Sequence, residues 1–425
     1  MKALIITYYW PPSGGSGVQR WLKFVKYLRN FQIEPIIYTV KNPNYAIEDF
    51  TLQNEVPENI EVIRQSIWEP NNLFSLFGSK KKETSAGFLN PNPTFIGKLA
   101  QYIRANYFIP DARRYWIKPS VKYLTKYLKD NKIDIIITTG PPHSTHLIGL
   151  KLRKKLNIKW IADFRDPWTE IDYFHQLPLT KRSIEKHRRL EEEVLKNADT
   201  VLVVGKTMAN SFKKFTKNIE VITNGYDTYE IKKEITLDEK FSLVHIGMLN
   251  FDRNHEILWK VLQELCLENK EFAEDLQLKF IGKLANYIMR DIEKYNLKEN
   301  TTFIDYLVHS EVLQHQLSAQ VLLLSVNNVP SAKGIITGKI FEYLQANRPI
   351  LAIGPTNGDL AEIINYTNSG IIIDFKDETK LKEEVLKLYA NFKNNVLKVD
   401  SRNIKQYHRK ELTKQLAKII KEVTE

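Results

Sequence analysis

"ALIITYYWPPSGGSGVQRW", residues 3–21, is the stretch whose reading decides the fold. An apolar run of strand composition stops at two prolines, crosses Gly14, Gly15 and Gly17, and resumes with helical spacing at Val18, Trp21, Leu22 and Val25. A buried strand, a glycine turn and a helix together open a β–α unit. Such a turn presents backbone N–H groups at the positive end of the helix and lets a ligand approach closely. Its spacing is not the G-x-G-x-x-G of a dinucleotide site, which disfavours that ligand.

The same alternation continues along the chain. Strand candidates are 34–40, 133–140, 159–164, 200–205 and 219–223, with amphipathic stretches such as "STHLIGLKLRKKL" and "TKRSIEKHRRLEEEVLKN" between them. A second set follows at 241–247, 276–282, 300–305, 320–326, 348–354 and 369–375. Strands apolar on both faces and separated by helices predict parallel sheets covered on both sides. The fold class is therefore α/β, with two Rossmann-like doubly wound domains. We place the first at 1–228 and the second at 240–404, joined by the charged stretch "GYDTYEIKKEITLDEK" (225–240). The closing basic amphipathic helix is compatible with either domain. Residues 66–118, with "KKK" at 80–82 and "DARRYWIK" at 111–118, read as a long insertion of mixed character.

Composition sets outer limits. The chain has 425 residues, 43% hydrophobic and 26% charged, as an ordinary globular protein does. One cysteine, Cys266, excludes an intrachain disulfide and a cysteine-built metal site. No apolar run reaches the roughly 18–20 residues that span a bilayer, and the N-terminus lacks the pattern of a secretory leader. The expected location is the cytoplasm, with the inner face of the cell membrane as a candidate resting surface. The formal net charge of +12 fits nucleic acid, an anionic membrane or anionic small substrates. No recognition motif favours nucleic acid.

Four strand-end stretches carry candidate chemistry. The glycine turn is the first, with Gly14, Gly15 and Gly17. In "TTGPPHSTHLIG", His143 stands where a strand ends and a helix begins, facing the crevice where open α/β sheets bind ligands. In "IADFRDPWTE", Asp163, Arg165 and Asp166 follow the next strand, and Trp168 offers a stacking face for a sugar; an internal Arg–Asp pair ordering the loop is the alternative. In "VPSAKGIITGKIFEYLQANRPILAIGP", Lys333 and Lys339 bring positive charge, and Glu342 suits the vicinal hydroxyls of a ribose.

Together, "PPSGGSGVQR", "TTGPPHSTHLIGL", "ADFRDPW", "VITNGYD" and "GKIFEYLQANRPILAIG" resemble family 4 of the glycosyltransferases, of GT-B fold, over nearly the whole chain. The resemblance implies an acceptor-binding N-terminal domain, braced by residues 405–425, and a C-terminal domain that binds a nucleotide diphosphate sugar across a shared cleft. It implies that the glycine turn faces the donor phosphates and that His143 lies beside the transferred sugar. Glu342 would hold the donor ribose, and Tyr306 and Leu307 would meet the base. Two departures stand out. Gly334 occupies the place of the first of a paired set of glutamates, and Met248 and Asn254 replace the usual arginine and lysine. Arg253, Lys333 and Lys339 are the candidate substitutes for the diphosphate, and Arg165 and Trp168 for the acceptor. His143 and Asp166 are the candidate catalytic residues. The implied reaction is glycosyl transfer, with retention, to a hydroxyl acceptor such as a lipid-linked or surface polysaccharide precursor. The nucleotide sugar is a co-substrate, and no cofactor or metal is called for. A nucleotide-sugar epimerase of the same fold and a non-catalytic sugar-nucleotide-binding module remain as alternatives.

Overall fold

The structure, a computed structural model, describes residues 1–69, 95–172, 174–228, 235–305, 307 and 309–425. The chain forms two compact units, Met1–Asn224 with Arg409–Glu425, and Gly225–His408.

The first unit runs β1 (Lys2–Ile6), α1 (Ser16–Leu28), β2 (Glu34–Val40), β3 (Glu61–Gln65), α2 (Phe95–Tyr107), α3 (Arg114–Asp130), β4 (Ile135–Gly140), α4 (Ser144–Leu156), β5 (Lys159–Phe164), α5 (Lys181–Asn197), β6 (Thr200–Val203), α6 (Lys206–Phe212) and β7 (Ile219–Val221). The second runs β8 (Phe241–Ile246), α7 (Glu256–Glu268), α8 (Lys270–Asp275), β9 (Leu276–Ile281), α9 (Asn286–Lys294), β10 (Thr301–Ile304), α10 (His309–Ser318), β11 (Val321–Ser325), α11 (Lys339–Ala346), β12 (Ile350–Ile353), α12 (Asp359–Thr367), β13 (Gly370–Ile373) and α13 (Glu378–Lys393). The chain then returns to the first unit as α14 (Arg409–Thr424).

Each run read as a strand forms one, trimmed by up to three residues at an end. β3 had no counterpart in the sequence reading. It is a half-exposed edge strand, and its alternation of Glu61, Val62, Ile63, Arg64 and Gln65 lacks the apolar run that marks its neighbours. The stretch 66–118 is also corrected in part. Residues 95–107 and 114–118 are helical and belong to the β3-to-β4 crossover, where aromatic and basic residues and the internal Pro119 hid the helical period. The Lys80–Lys82 run and residues 229–234 of the expected linker lie outside the described residues.

Both sheets are parallel. The first has the order β3-β2-β1-β4-β5-β6-β7 and the second β10-β9-β8-β11-β12-β13. Apolar clusters cover both faces of each. In the first unit Trp116, Leu124, Ile148 and Val194 line one face, while Trp21, Leu22, Val25, Leu416 and Ile420 line the other. α14 therefore packs beside α1, and the Arg409 guanidinium donates to the Gln19 carbonyl at 2.8 Å. Each buried Leu, Ile or Val side chain contributes about 1.5–3 kcal/mol, which makes the sheet the rigid platform for the loops at its edge. Strand order reverses between β1 and β4 in one sheet and between β8 and β11 in the other. The carboxyl ends at such reversals are where an open α/β sheet leaves a crevice.

Candidate active site

At the β1–β4 reversal the three glycines do different things. The Gly14 amide donates to the Ile47 carbonyl at 2.9 Å, and a Cβ there would lie 2.8 Å from the Ile47 side chain. Gly17 faces Tyr9 and accepts a hydrogen bond at its carbonyl from Arg165 at 2.7 Å. Gly15 alone opens onto free space: it has φ +80°, precedes α1, and has nothing within 4 Å of where a Cβ would stand. Among the described residues no side chain caps α1. Gly15 and the first turn behind it are thus the open part of the glycine loop, with backbone N–H groups at the positive end of α1.

His143 sits at the N-cap position of α4, buried, with its ring stacked on Trp168 at 4.6 Å and 2°. Its Nδ1 has no hydrogen-bond partner among the described residues. Burial, then the His146, His187 and Arg165 charges, push it well below the usual histidine range, so the ring is neutral at pH 7. Gly140 makes room for it: a Cβ there would lie 2.5 Å from His146 Nε2 and 3.2 Å from His143 Nδ1. Asp111 fixes the helix start from outside α4, accepting from the Ser144 amide at 2.9 Å and its hydroxyl at 2.8 Å.

Trp168 requires a correction. It is 2% exposed, its indole N–H donates to His187 Nδ1 at 3.0 Å, and one face is spent on His143. It cannot receive a sugar; it holds His143 in place. Arg165 also works internally in this arrangement. Its guanidinium donates to the Gly17 and Pro141 carbonyls, tying the glycine turn to the end of β4. Asp166 is exposed at the end of β5, with protein crowded around it. That crowding raises its carboxyl above the usual range, against the pull of Arg165.

At the β8–β11 reversal the second sheet splits. The two strands pair only at Leu243–Val321 and Val244–Leu322. Beyond that point the Ile246 amide donates to the Tyr343 hydroxyl at 3.2 Å, and His245 Nδ1 lies 3.2 Å from the Leu323 carbonyl. Side chains thus replace the missing ladder, and the gap opens toward the loops after β8 and β11. Arg253 and Lys339 converge there. The Arg253 Nε donates to Asn327 Oδ1 at 2.6 Å. The Lys339 ammonium makes no hydrogen bond or salt bridge among the described residues and lies against Gly247, where a Cβ would come within 2.7 Å of its Cε and 2.9 Å of its Nζ. Gly247 has φ +98°, so both its conformation and this contact require glycine. Crowding and the Arg253 charge lower Lys339 to about 7, with Glu342 opposing. Glu342 is half-buried and accepts from Gln316 at 3.1 Å. Lys333 is exposed on the 3-10 turn 332–334. Leu307 is half-buried against the core, and Tyr306 lies outside the described residues.

Two family models match adjoining parts of the chain: Glycosyltransferase Family 4 over residues 87–230 and Glycosyl transferases group 1 over residues 227–410. This chain is a family-4-type glycosyltransferase. Solved structures agree on the fold. A sucrose-phosphate synthase from Thermosynechococcus elongatus is 13% identical, covers 99% of this chain and 98% of its own, and has a TM-score of 0.63. TarM is 13% identical over 99% and 98%, with a TM-score of 0.62. A putative UDP-N-acetylglucosamine 2-epimerase from Listeria monocytogenes is 12% identical over 99% and 95%, with a TM-score of 0.55. None of the curated proteins compared matches the chain. The two sheets and these neighbours give the glycosyltransferase the GT-B fold.

The strand-end position of Asp163 was legible in the sequence, but its partners, and the role of Glu191, were not; both shape this glycosyltransferase's loops. Asp163 is fully buried and accepts from Arg20, from the Trp21 indole at 2.7 Å and from the Thr139 hydroxyl at 2.9 Å. Arg20 continues to the Thr223 carbonyl at 2.9 Å. Glu191 accepts from the Trp168 and Thr169 amides and orders the loop after β5. No short motif marks these partners, which stand 143 and 23 positions apart.

Proposed function

We propose that the protein transfers a glycosyl group from a nucleotide diphosphate sugar to a hydroxyl acceptor, with the donor diphosphate on the second unit. The carrying observation is the convergence of Arg253 and Lys339 at the β8–β11 split, with Lys339 against Gly247 and the Arg253 guanidinium donating to the Met248 carbonyl at 3.3 Å. Breaking the sugar–phosphate bond builds negative charge on the diphosphate, and one preorganised donor to such charge contributes about 3–4 kcal/mol. Arg253 and Lys339 supply it in this reading, with Lys333 at the rim and the Gly15 turn as a further anion site. No metal is called on. Glu342 takes the ribose hydroxyls, displacing Gln316. On the first unit, His143 orients the sugar as a neutral ring, and Asp166 contacts the acceptor hydroxyl. The acceptor oxygen bonds to the anomeric carbon, the diphosphate leaves from the same face, and the acceptor proton goes to the departing phosphate oxygen, so configuration is retained. A lipid-linked or surface polysaccharide precursor is the proposed acceptor.

A TarM structure from S. aureus holds UDP, which makes UDP-sugars the first ligands to try, beside GDP- and dTDP-sugars. A ligand at 100 times its dissociation constant stabilises the folded state by about 2.7 kcal/mol. Thermal shift should select one nucleotide class, and Lys339→Ala and Glu342→Ala should each reduce that shift. Product that forms without any acceptor would favour an epimerase. Binding with neither transfer nor hydrolysis would favour a binding module. No shift with any nucleotide sugar would refute the reading.

A further inference from the structure

The net charge is divided very unevenly. The first unit carries 40 Lys and Arg against 24 Asp and Glu, a net +16, while the second carries 22 against 26, a net −4. In the second unit surface lysines are largely matched with carboxylates, as in Lys260–Glu378, Lys294–Glu256, Lys298–Glu293 and Lys382–Glu268. In the first, one region is left unmatched. Between α3 and α4 lies a shallow groove of about 460 Å³, lined by Lys118, Lys122, Lys126, Lys129, Lys151 and Lys155 over a floor of Val121 and Thr125. All six lysines are exposed, and among the described residues none of them forms a hydrogen bond or a salt bridge. No acidic residue lines the groove.

The order along α3 explains the shape. Lys118, Lys122, Lys126 and Lys129 recur every three or four residues, so their ammonium groups form one ridge about 16 Å long. Lys151 and Lys155 repeat the spacing on α4. Tyr115 falls on the same face as the ridge, one turn before Lys118. It is 46% exposed and meets Trp68, itself 50% exposed, edge to face at 4.8 Å. Tyr107, 66% exposed, stands at the adjoining end of α2, where its carbonyl accepts from Arg114. Uncompensated ammonium groups beside exposed Trp and Tyr are what a headgroup layer selects, because the charges stay in water while the rings reach the apolar boundary.

The geometry points to this α3–α4 face as the docking surface for an anionic lipid bilayer, with the six lysines on the headgroup phosphates and Trp68, Tyr107 and Tyr115 at the acyl edge. The six charges lining the groove are all lysine, without the planar arginine forks that read nucleic-acid bases, and the aromatic residues gather at one end instead of alternating along the groove. The face shares no residue with the donor site, so its test stands apart from the proposed reaction.

The test is co-sedimentation of the full chain with vesicles of phosphatidylcholine alone and of phosphatidylcholine containing about one-third phosphatidylglycerol. It runs at about 0.1 M NaCl, where the screening length is about 10 Å. The protein should bind the anionic vesicles, release them as salt rises, and leave the neutral ones unbound. Each lysine removed should lower partitioning about five-fold, the equivalent of about 1 kcal/mol. Lys122→Ala, Lys126→Ala, Lys151→Ala and Lys155→Ala together should therefore lower it by several hundred-fold, and the matching four arginine substitutions should restore it. Four-alanine binding within five-fold of wild type, equal wild-type binding to neutral vesicles, or no wild-type binding to anionic vesicles would each overturn the proposal. Preference for a single-stranded oligonucleotide over vesicles would overturn it in favour of a nucleic-acid groove. The wild-type salt series decides the matter even if the four-alanine variant fails to fold.

Discussion

Lys339 gives a pH signature that a merely structural lysine would not. Its ammonium is crowded by protein, faces Arg253 and has no salt bridge among the described residues, which together lower it to about 7. A free site is therefore about half-protonated at pH 7 and largely neutral above about pH 8. A bound diphosphate adds an adjacent opposite charge and raises the group again. The pKa is lower in the free site and higher in the complex, so binding takes up a proton. The uptake should be about half a proton at pH 7 and nearly one at about pH 8–9. Affinity should be full below pH 7 and fall as pH rises through 7, by up to ten-fold, or about 1.4 kcal/mol, per pH unit. Nucleotide sugars suit the test because their diphosphate has no group that titrates in this range. Isothermal titration with the sugar selected by thermal shift, in two buffers of different ionisation enthalpy, reads affinity and proton uptake together. Lys339→Met should bind weakly at every pH and lose both the slope and the uptake. Gly247→Ala should resemble it, because its Cβ would meet the Lys339 side chain at 2.7 Å. A wild-type affinity that stays flat from about pH 7 to 9 without proton uptake, or an equal slope in Lys339→Met, would refute the argument.

Two further outcomes test the first unit. Asp163→Asn should leave the buried Arg20 charge without its carboxylate and cost about 3–5 kcal/mol in denaturant unfolding. Burial opposes but Arg20 prevails to hold the Asp163 carboxyl below its usual range. Its contribution is therefore present above the ordinary aspartate pKa and lost as pH falls through the lower folded value. Wild type should show that acid limb and the variant should not; coincident acid limbs would exclude this role. Gly140→Ala places a methyl group 2.5 Å from His146 Nε2 and 3.2 Å from His143 Nδ1. It should cost about 1–3 kcal/mol and slow turnover more than it weakens donor binding. Wild-type turnover in a folded Gly140→Ala protein would remove His143 from the proposed site.

Local pattern carried most of the architecture. The apolar runs, the glycine turn and the helical periods each lie within a few residues, so their physics is readable from composition and spacing. This gave the two α/β units and put Gly15, His143 and Arg253 in the turns after parallel strands and Lys339 at the start of a helix. β3 escaped because an edge strand needs no continuous apolar run, and α2 and α3 escaped because aromatic and basic residues blurred their period. What no local pattern carries is which partner a side chain finds. Only the packed structure turns the Trp168 ring inward onto His143, commits Asp163 to Arg20, and has Tyr343 bridge the strands that part at the β8–β11 reversal. The lysines of α3 and α4 are separated in the chain by β4, and the crossover lays the two helices side by side. Helix, strand and turn are set by neighbours in sequence, whereas burial, pairing and the merging of charges depend on contacts across tens to hundreds of residues.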